Sequence, residues 1–402
     1  MRIVRCVLSL VALAGCVAPA FGQAADAAKF APIKLRMQQF VDSNELSGAV
    51  TLVGRKDGVV HHEAVGSLDL ASKTPMPKDA LFRIASMTKP ITAMAIMILA
   101  DEGKLSPEDP VEKYLPEFKG QMLIGTRGKE SMSLTAPKRP ITLRDLLTHT
   151  SGLPGGYPAG LGNVYGKRDR TLNETTLVIS QRPLEFEPGT KWSYCNTGID
   201  VLGRIVEVVS GMDYEMFLQT RIFDPLGMKT TTFYPHGAQL KKLATTYGRT
   251  DGKLVPAAPG FLDPSPKAKH PIPAGGLCAS AEDLAKLYRC LLNHGELNGK
   301  RVISEKSLET MTKTQTGDIK TGFVDGMSFG FGFAVVKEPL GVTAMLSPGT
   351  YGHGGAFGTQ GWIDPKQDLF VILLIARTGL SNGDASVYRK TFQELAVNAI
   401  KK

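Results

Sequence analysis

Pro90 limits where a helix can begin in a strongly apolar segment. Proline has no N–H and is tolerated only near a helix start, so the helix carrying residues 91–99 should begin close to Ser86. One turn then places the Ser86 hydroxyl and the Lys89 amine on the same helical face. The pattern favours a serine nucleophile with a lysine of lowered pKa as its proton acceptor. The same SxxK spacing also occurs in ordinary helices with a solvated lysine, which is the alternative interpretation.

The N-terminal segment has the pattern of an export signal. Two arginines precede the apolar residues 6–14, and small residues before Gln23 suit removal of residues 1–22 as a signal peptide. The apolar run is much shorter than the roughly 20 residues that span a bilayer. Residues 13–16 also resemble a bacterial lipobox, which would instead leave Cys16 as a lipidated, membrane-anchored N-terminus. Both interpretations predict an exported protein, either periplasmic or secreted.

Charge and composition argue against several partner classes. Removal of residues 1–22, with their two arginines, would change the formal charge from +9 to +7. The sequence has no basic run with interleaved aromatic residues, so nucleic acid is not an expected partner. Three cysteines lie beyond the signal, and an odd number predicts no disulfide framework. His61 and His62 are adjacent on a predicted strand and point to opposite faces, so no metal is expected there, and no organic cofactor is implied.

Strand patterns at both ends of the chain enclose a mostly helical middle. Extended segments are predicted at residues 47–53, 59–65, 329–336, 353–363 and 369–376. Residues 118–140 are polar and unperiodic and predict a loop beside a cleft. We therefore predict an α/β fold class, with one α/β domain formed by residues 27–84 and 270–402. A mainly helical domain, residues 85–269, is inserted between these parts, and the catalytic cleft lies between the two domains.

Two further motifs carry polar groups that suit a substrate site. Tyr194 and Asn196 flank Cys195 on an extended segment, so the phenol and the amide point the same way. The alternative is that Asn196 caps the next helix and Tyr194 is an ordinary rim aromatic. His353 begins a His-Gly-Gly sequence on a glycine-rich strand, where missing side chains would let a ligand approach the backbone. Its alternative is a strand end with a hydrogen-bonded surface histidine.

In this order, SxxK, YxN and HGG resemble the motifs of the penicillin-recognising serine hydrolases. These include class C β-lactamases, DD-peptidases and family VIII esterases. The likeness extends to residues 146–152 and 188–194 and covers nearly the whole mature chain. It implies a β-lactamase-like fold, an antiparallel sheet flanked by helices with an inserted all-helical domain.

The same resemblance implies roles for individual residues. Ser86 would be the acylated nucleophile and Lys89 its proton acceptor, while Tyr194 would pass the proton to the leaving group. Asn196 would hydrogen-bond both Lys89 and the substrate, and His149 would be structural. The third motif would contribute to substrate binding, with an oxyanion hole formed by the N–H groups of Ser86 and of the residue after the motif. The substrate-binding residues implied there are His353, Gly354, Gly355 and Ala356.

The third motif departs from the β-lactamase pattern. Those enzymes usually have Lys-Thr-Gly there, which offers a cation and a hydroxyl to the substrate carboxylate, whereas His353 and Gly354 offer at best an imidazole. We therefore expect a serine hydrolase acting on esters or on small amides and peptides. Any lactam activity should rise below about pH 6.5 if His353 must be protonated. The alternatives are a true β-lactamase or DD-peptidase, or a non-catalytic penicillin-binding or cell-wall-binding module. The oligomeric state is left open.

Ser328 is a rival nucleophile because residues 326–330 fit the GxSxG pattern of α/β-hydrolases. In α/β-hydrolases the serine of this pattern lies in a sharp turn, the nucleophile elbow, with a helix directly after it. Residues 329–333 instead alternate like a strand and contain two glycines. We therefore expect Ser328 to have no catalytic role.

Overall fold

The computed structural model describes residues 27–157, 160–161, 168–263 and 268–401. The predicted signal peptide, residues 1–22, and Cys16 lie outside the described residues. Within the described part, the α-helices are α1 Ala27–Asp42, α2 Lys89–Asp101, α3 Leu143–Leu147, α4 Leu172–Ser180, α5 Asn196–Ser210, α6 Tyr214–Leu218, α7 Asp224–Leu226, α8 Ala281–Leu292, α9 Glu305–Thr312 and α10 Val387–Lys401. No helix in these ranges is long and apolar enough to cross a membrane.

The strands form one large antiparallel sheet and several two-stranded ribbons. They are β1 Gly48–Gly54, β2 Val59–Asp69, β3 Thr74–Pro75, β4 Phe82–Arg83, β5 Leu123–Arg127, β6 Met132–Thr135, β7 Tyr247–Thr250, β8 Lys253–Pro256, β9 Cys278–Ala279, β10 Glu296–Leu297, β11 Lys300–Arg301, β12 Met327–Phe329, β13 Ala334–Val336, β14 Tyr351–Gly354, β15 Gln360–Asp364 and β16 Leu369–Ile375. The large sheet has the order β12-β13-β14-β15-β16-β1-β2-β3. An antiparallel sheet flanked by helices confirms the predicted fold class.

Both faces of the central strands are covered, which explains why β1 and β16 are buried along their whole length. Successive side chains of a strand point to opposite faces. Val50 and Leu52 of β1 belong to the larger core, with α2, α5 and α8. Ala49 and Val53 face the smaller core, where α1 packs against α10. The sheet is therefore a rigid support between two helical layers.

The sheet takes its strands from the two ends of the chain, before residue 76 and after residue 326. The residues between them form α2 to α9 and the ribbons. The exact domain boundaries, 27–84 with 270–402 and 85–269, stay a prediction.

Three local predictions were wrong, each at a tight turn. The segment 118–140 contains the ribbon β5–β6 rather than only a loop. The segment 329–336 is a hairpin, because Gly332 adopts a φ of 71° and reverses the chain between β12 and β13. The segment 353–363 is likewise two strands, with Gly358 at a φ of 81° in the connection. Extended patterns predict strand residues but do not show where such a glycine turns the chain.

Candidate active site

Ser86 lies in a short 3-10 helix, Ala85–Thr88, that leads directly into α2. Pro90 occupies the first turn of α2, as predicted, where its missing N–H costs no hydrogen bond. Ser86 remains partly accessible, whereas Lys89 is completely buried. The Lys89 Nζ donates hydrogen bonds to Ser86 Oγ at 3.0 Å and to the Ala274 carbonyl at 2.7 Å. The structure therefore joins the two SxxK side chains and excludes the solvated-lysine alternative.

Burial changes the acid–base behaviour of Lys89. Loss of hydration lowers the pKa of Lys89 from 10.5 to about 7, although the nearby Asp200 carboxylate acts in the opposite direction. A substantial fraction of the amine is therefore neutral near pH 7. A neutral amine within hydrogen-bonding distance of a hydroxyl can take its proton.

The residue before Ser86 has a strained backbone. Ala85 has a φ of 46°, in the left-handed region that costs a residue with a Cβ about 1–2 kcal/mol. Two backbone hydrogen bonds border this turn, from Ile84 N–H to the Leu277 carbonyl and from Met87 N–H to the Ile84 carbonyl. Strain of this kind persists where the surroundings impose it, and it often accompanies functional positions.

Tyr194 lies beside the Ser86–Lys89 pair. The Lys89 Nζ is 4.6 Å from the centroid of the Tyr194 ring, and the ring of buried His149 also packs against the Tyr194 ring, with 4.6 Å between their centroids. Burial raises the pKa of Tyr194 well above its usual value, while a hydrogen bond with Ser86 lowers it. The phenol is thus protonated at neutral pH and can donate to a leaving group.

Asn196 is placed differently from the expectation. It is the first residue of α5, but the preceding residue is the N-cap, because Cys195 Sγ accepts from the Gly198 N–H at 3.3 Å. Within the described part of the chain, Lys89 makes no hydrogen bond to Asn196; its partners are Ser86 and the Ala274 carbonyl. A contact between Asn196 and a substrate stays a prediction.

The third motif forms one wall of the pocket that contains Ser86. Six of the sequence-predicted residues line this pocket, together with residues from the loop before β12 and the loop after β16. The lining consists of Ser86, Tyr194, Phe323, His353, Gly354, Gly355, Ala356, Leu380, Ser381, Asn382, Gly383 and Asp384. The aromatic ring of Phe323 contacts that of Tyr194 edge-on, with 4.9 Å between centroids, and gives the rim an apolar side.

His353 is neither a surface residue nor a cation at neutral pH. It is buried, and its Nδ1 lies 2.7 Å from the Gly354 carbonyl, which can only accept, so Nδ1 carries the proton. Burial, and next the charge of Lys89, lower the pKa of His353 well below 6.5. Its Nε2 has no hydrogen-bond partner among the described residues. The imidazole therefore offers neither a charge nor a second donor, and its protonation requires a pH well below the 6.5 expected from sequence.

The two glycines of the motif are required by the protein itself rather than by a ligand. A Cβ on Gly355 would lie 2.5 Å from the Ile84 carbonyl oxygen, and one on Gly354 would lie 2.1 Å from Asp384 Oδ1. A side chain at Gly355 would therefore displace the segment that precedes Ser86, and one at Gly354 would displace Asp384. The prediction that these glycines leave room for a ligand was therefore wrong. Other parts of the protein pack closely against them and fix the pocket wall.

Two backbone N–H donors belong to residues that line this pocket. The N–H groups of Ser86 and Ala356 make no hydrogen bond to another described residue, whereas the neighbouring Gly355 N–H bonds the Thr359 carbonyl at 2.7 Å. Free donors of this kind, close to a nucleophile, can stabilise the oxyanion of an acyl-transfer reaction. The geometry is compatible with the oxyanion hole that the family resemblance implies.

Two acidic residues near the site had no sequence signal. Asp384 lines the pocket beside Gly354; it accepts from Gln360 Nε2 at 3.1 Å and lies 3.7 Å from the guanidinium of buried Arg389. Asp200, on α5, is completely buried and bonds the loop that contacts Lys89. Both are brought to the site only by tertiary contacts.

Ser328 and His149 are both buried and make hydrogen bonds within the protein. Ser328 is buried in β12, where its Oγ is 3.1 Å from Thr316 Oγ1, and the next element is the strand β13 rather than a helix. His149 accepts from the Cys195 N–H at 3.2 Å and is buried, which suits the structural role that the resemblance implies. Within the ranges that the structure covers, no group of three or more His, Cys, Asp or Glu side chains is arranged to hold a metal ion.

Comparison by sequence identifies relatives along most of the chain. A protein of Mycobacterium tuberculosis named Rv1367c is 31% identical over 372 residues, covering 84% of this chain and 88% of the relative. Esterase EstB of Burkholderia gladioli is 29% identical over 362 residues, covering 84% and 87%. A Salmonella agona protein whose name proposes a D-alanyl-D-alanine carboxypeptidase is 29% identical over 334 residues, covering 77% and 72%.

Comparison by structure and by family gives a consistent assignment. EstCE1, described as a hydrolase with promiscuous acyltransferase activity, superposes with a TM-score of 0.74 and 25% identity, covering 94% of this chain and 99% of EstCE1. The sequence model of the beta-lactamase family matches residues 33–395. The chain has the β-lactamase-like fold and belongs to the beta-lactamase family, a family of serine hydrolases that includes esterases and peptidases.

Proposed function

We propose that this protein hydrolyses small uncharged esters through an acyl-enzyme on Ser86. The observation that carries the proposal is the 3.0 Å hydrogen bond between Ser86 Oγ and the amine of completely buried Lys89. A lysine whose pKa is lowered to about 7 supplies the base that a serine hydroxyl needs near neutral pH.

The proposed reaction uses the groups in a fixed order. Neutral Lys89 takes the Ser86 proton while Oγ attacks the ester carbonyl carbon, and the N–H groups of Ser86 and Ala356 hold the oxyanion. Tyr194 gives its proton to the departing alkoxide and regains one from protonated Lys89. The acyl group is then attached to Ser86. Water attacks that acyl group through the same groups, which releases the acid and restores the Ser86 hydroxyl.

The pocket wall supports the preference for uncharged substrates. β-Lactams and peptide termini carry a carboxylate, and a buried anion without a partner loses several kcal/mol. His353 is neutral at pH 7 for the reasons given above. Among the described lining residues, Asp384 is the one whose side chain carries a formal charge, and that charge is negative. A small uncharged ester needs no cation on this wall.

The alternatives differ in chemistry. A β-lactamase or DD-peptidase activity is supported by the relative named as a carboxypeptidase, but it would need another group to bind the carboxylate. A non-catalytic penicillin-binding or cell-wall-binding module would need no Ser86–Lys89 contact, and this contact is fully formed. Esterase activity agrees with the name of EstB.

The test compares substrate classes on the purified mature protein. Wild type should hydrolyse p-nitrophenyl acetate and butyrate, with weak or negligible turnover of a chromogenic cephalosporin and of a peptide ending in D-Ala-D-Ala. Ser86→Ala serves as the control for hydrolysis that is not enzymatic. Efficient cephalosporin turnover at pH 8, with the esters untouched, would contradict the proposal.

We also propose export of the protein on the basis of residues 1–22. Mass spectrometry of the protein from a bacterial host separates the two processed forms. A chain beginning at Gln23 indicates a periplasmic or secreted protein, and a lipid-modified Cys16 indicates a membrane anchor. An intact N-terminus in the cytoplasmic fraction would contradict export.

A further inference from the structure

We infer that Asp200 is a positioning residue for Lys89: its buried carboxylate fixes the loop that holds the amine and balances the proton that the amine takes from Ser86. The inference rests on the proposed role of Lys89 as the base. It concerns a residue outside the three motifs, on α5, four residues after Asn196.

A chain of hydrogen bonds connects the two residues. Asp200 Oδ1 accepts from the Ala274 N–H at 3.0 Å, and the Ala274 carbonyl accepts from Lys89 Nζ at 2.7 Å. Both side chains are completely buried. Ala274 thus presents one backbone group to the carboxylate and the other to the amine. A shift of this residue would change the direction in which the amine points, and with it the distance to Ser86.

Asp200 adds an attachment from α5 to a loop that also bonds α2 and the segment around Ser86. The Pro273 carbonyl accepts from Thr92 Oγ1 at 2.7 Å, and the Leu277 N–H donates to Thr88 Oγ1 at 3.3 Å. From the opposite side, α5 touches the loop where a Cβ on Gly203 would lie 2.3 Å from Pro273 Cγ. Asp200 makes a polar contact on that side, so it ties α5 to the loop that holds Lys89.

Asp200 also places a negative charge near Lys89. Five titratable groups face Lys89 from the surrounding elements. They are Asp200 on α5, Cys195 at the N-cap of α5, Tyr194, His149 after α3, and His353 on β14. Asp200 is the carboxylate in this set. Burial holds the pKa of Cys195 and Tyr194 above their usual values and that of both histidines below theirs, so these four groups are neutral at pH 7. The charge that favours protonated Lys89 therefore comes from Asp200.

The consequence for the reaction follows from the sign of this interaction. A negative charge stabilises the ammonium form, so Asp200 keeps the pKa of Lys89 higher than burial alone would leave it. Without Asp200 the amine would be neutral over a wider pH range but would hold the Ser86 proton less well before passing it to the leaving group.

The test measures how the reactivity of Ser86 depends on pH. Asp200→Asn keeps the volume and an oxygen that accepts from the Ala274 N–H, but it removes the charge. Labelling of Ser86 by a fluorophosphonate, followed by intact mass, reports the nucleophile without knowledge of the substrate. The labelling rate should fall at low pH as Lys89 becomes protonated, and we call this fall the acid limb. In the Asp200→Asn variant the acid limb should move to lower pH by about 0.5–1 unit. If Asp200→Asn folds poorly, Asp200→Ser can replace it, because it also removes the charge. Its acid limb should likewise move to lower pH.

A matched control uses another buried carboxylate. Asp283, at the start of α8, accepts from the Thr230 and Thr231 N–H groups at 2.7 and 3.1 Å and is likewise buried, but its hydrogen bonds to described residues do not involve the site. Asp283→Asn should lower the melting temperature and leave the acid limb in place. A folded Asp200 variant with an unchanged acid limb, or an equal shift in the Asp283 variant, would overturn the inference. Absence of labelling on Ser86 in wild type would instead overturn the proposed function and, with it, the inference.

Discussion

Replacement of Lys89 by methionine should stabilise the fold while it abolishes activity. Methionine keeps an unbranched side chain of similar length in the buried site but removes the amine. The fall in the pKa of Lys89 from 10.5 to about 7 means that its charged form is disfavoured by about 5 kcal/mol in the folded state. An active site that is destabilised for the sake of function can become more stable when the functional group is removed, with loss of activity.

The pH dependence gives this prediction its sign. Below pH 7, Lys89 is charged in both the folded and the unfolded state, so the folded wild type bears the full penalty. Between pH 7 and 10.5 only the unfolded chain holds the proton, and wild-type stability rises with pH. The advantage of Lys89→Met in the free energy of unfolding should therefore shrink by about 3 kcal/mol between pH 6 and pH 9.

Denaturant unfolding of both proteins at the two pH values measures this difference. Lys253→Met, at an exposed lysine of β8, is the matched control for the effect of pH on the substitution itself. A difference between wild type and Lys89→Met that is the same at pH 6 and pH 9 would refute the reasoning, because it would mean that folding leaves the pKa of Lys89 unchanged.

Three further predictions concern turnover and use the p-nitrophenyl ester assay. Tyr194→Phe should keep KM and lower kcat by roughly 10²- to 10⁴-fold, the range for a positioned acid or base, whereas a purely packing role would leave kcat unaltered. Ser328→Ala should remain active, and loss of activity in a folded Ser328→Ala protein would return Ser328 to consideration as the nucleophile. Asp384→Asn should raise kcat/KM for a p-nitrophenyl ester bearing a carboxylate, relative to the butyrate ester, by about 3- to 10-fold, since it removes a negative charge beside the pocket. An unchanged ratio would show that Asp384 does not affect substrate charge preference.

Features encoded within a few residues could be predicted from the sequence. Pro90 and the spacing of Ser86 and Lys89 are local, so the start of α2 and the Ser–Lys pair follow from helix geometry. The period of apolar residues likewise predicted β1 and β16. The order of the three motifs was sufficient for the family, which the comparisons confirm.

Features that depend on distant parts of the chain could not be predicted in this way. Asp200 acts through Ala274, 74 residues further on, and Asp384 reaches Gln360 across a loop. The neutral state of His353 depends on its burial and on the charge of Lys89, neither of which is visible in a His-Gly-Gly sequence. The glycines were predicted to leave space for a ligand, but their neighbours are Ile84 and Asp384, which only the folded structure brings close.

The central claim is that Ser86 carries the acyl group, and trapping that intermediate tests it most directly. The purified protein is mixed with excess p-nitrophenyl ester, quenched with acid within one turnover and analysed by intact mass and peptide mapping. We predict a mass increase equal to one acyl group on the peptide that contains Ser86, and no increase in Ser86→Ala. An acyl group on the peptide that contains Ser328, or one that persists in Ser86→Ala, would contradict the account.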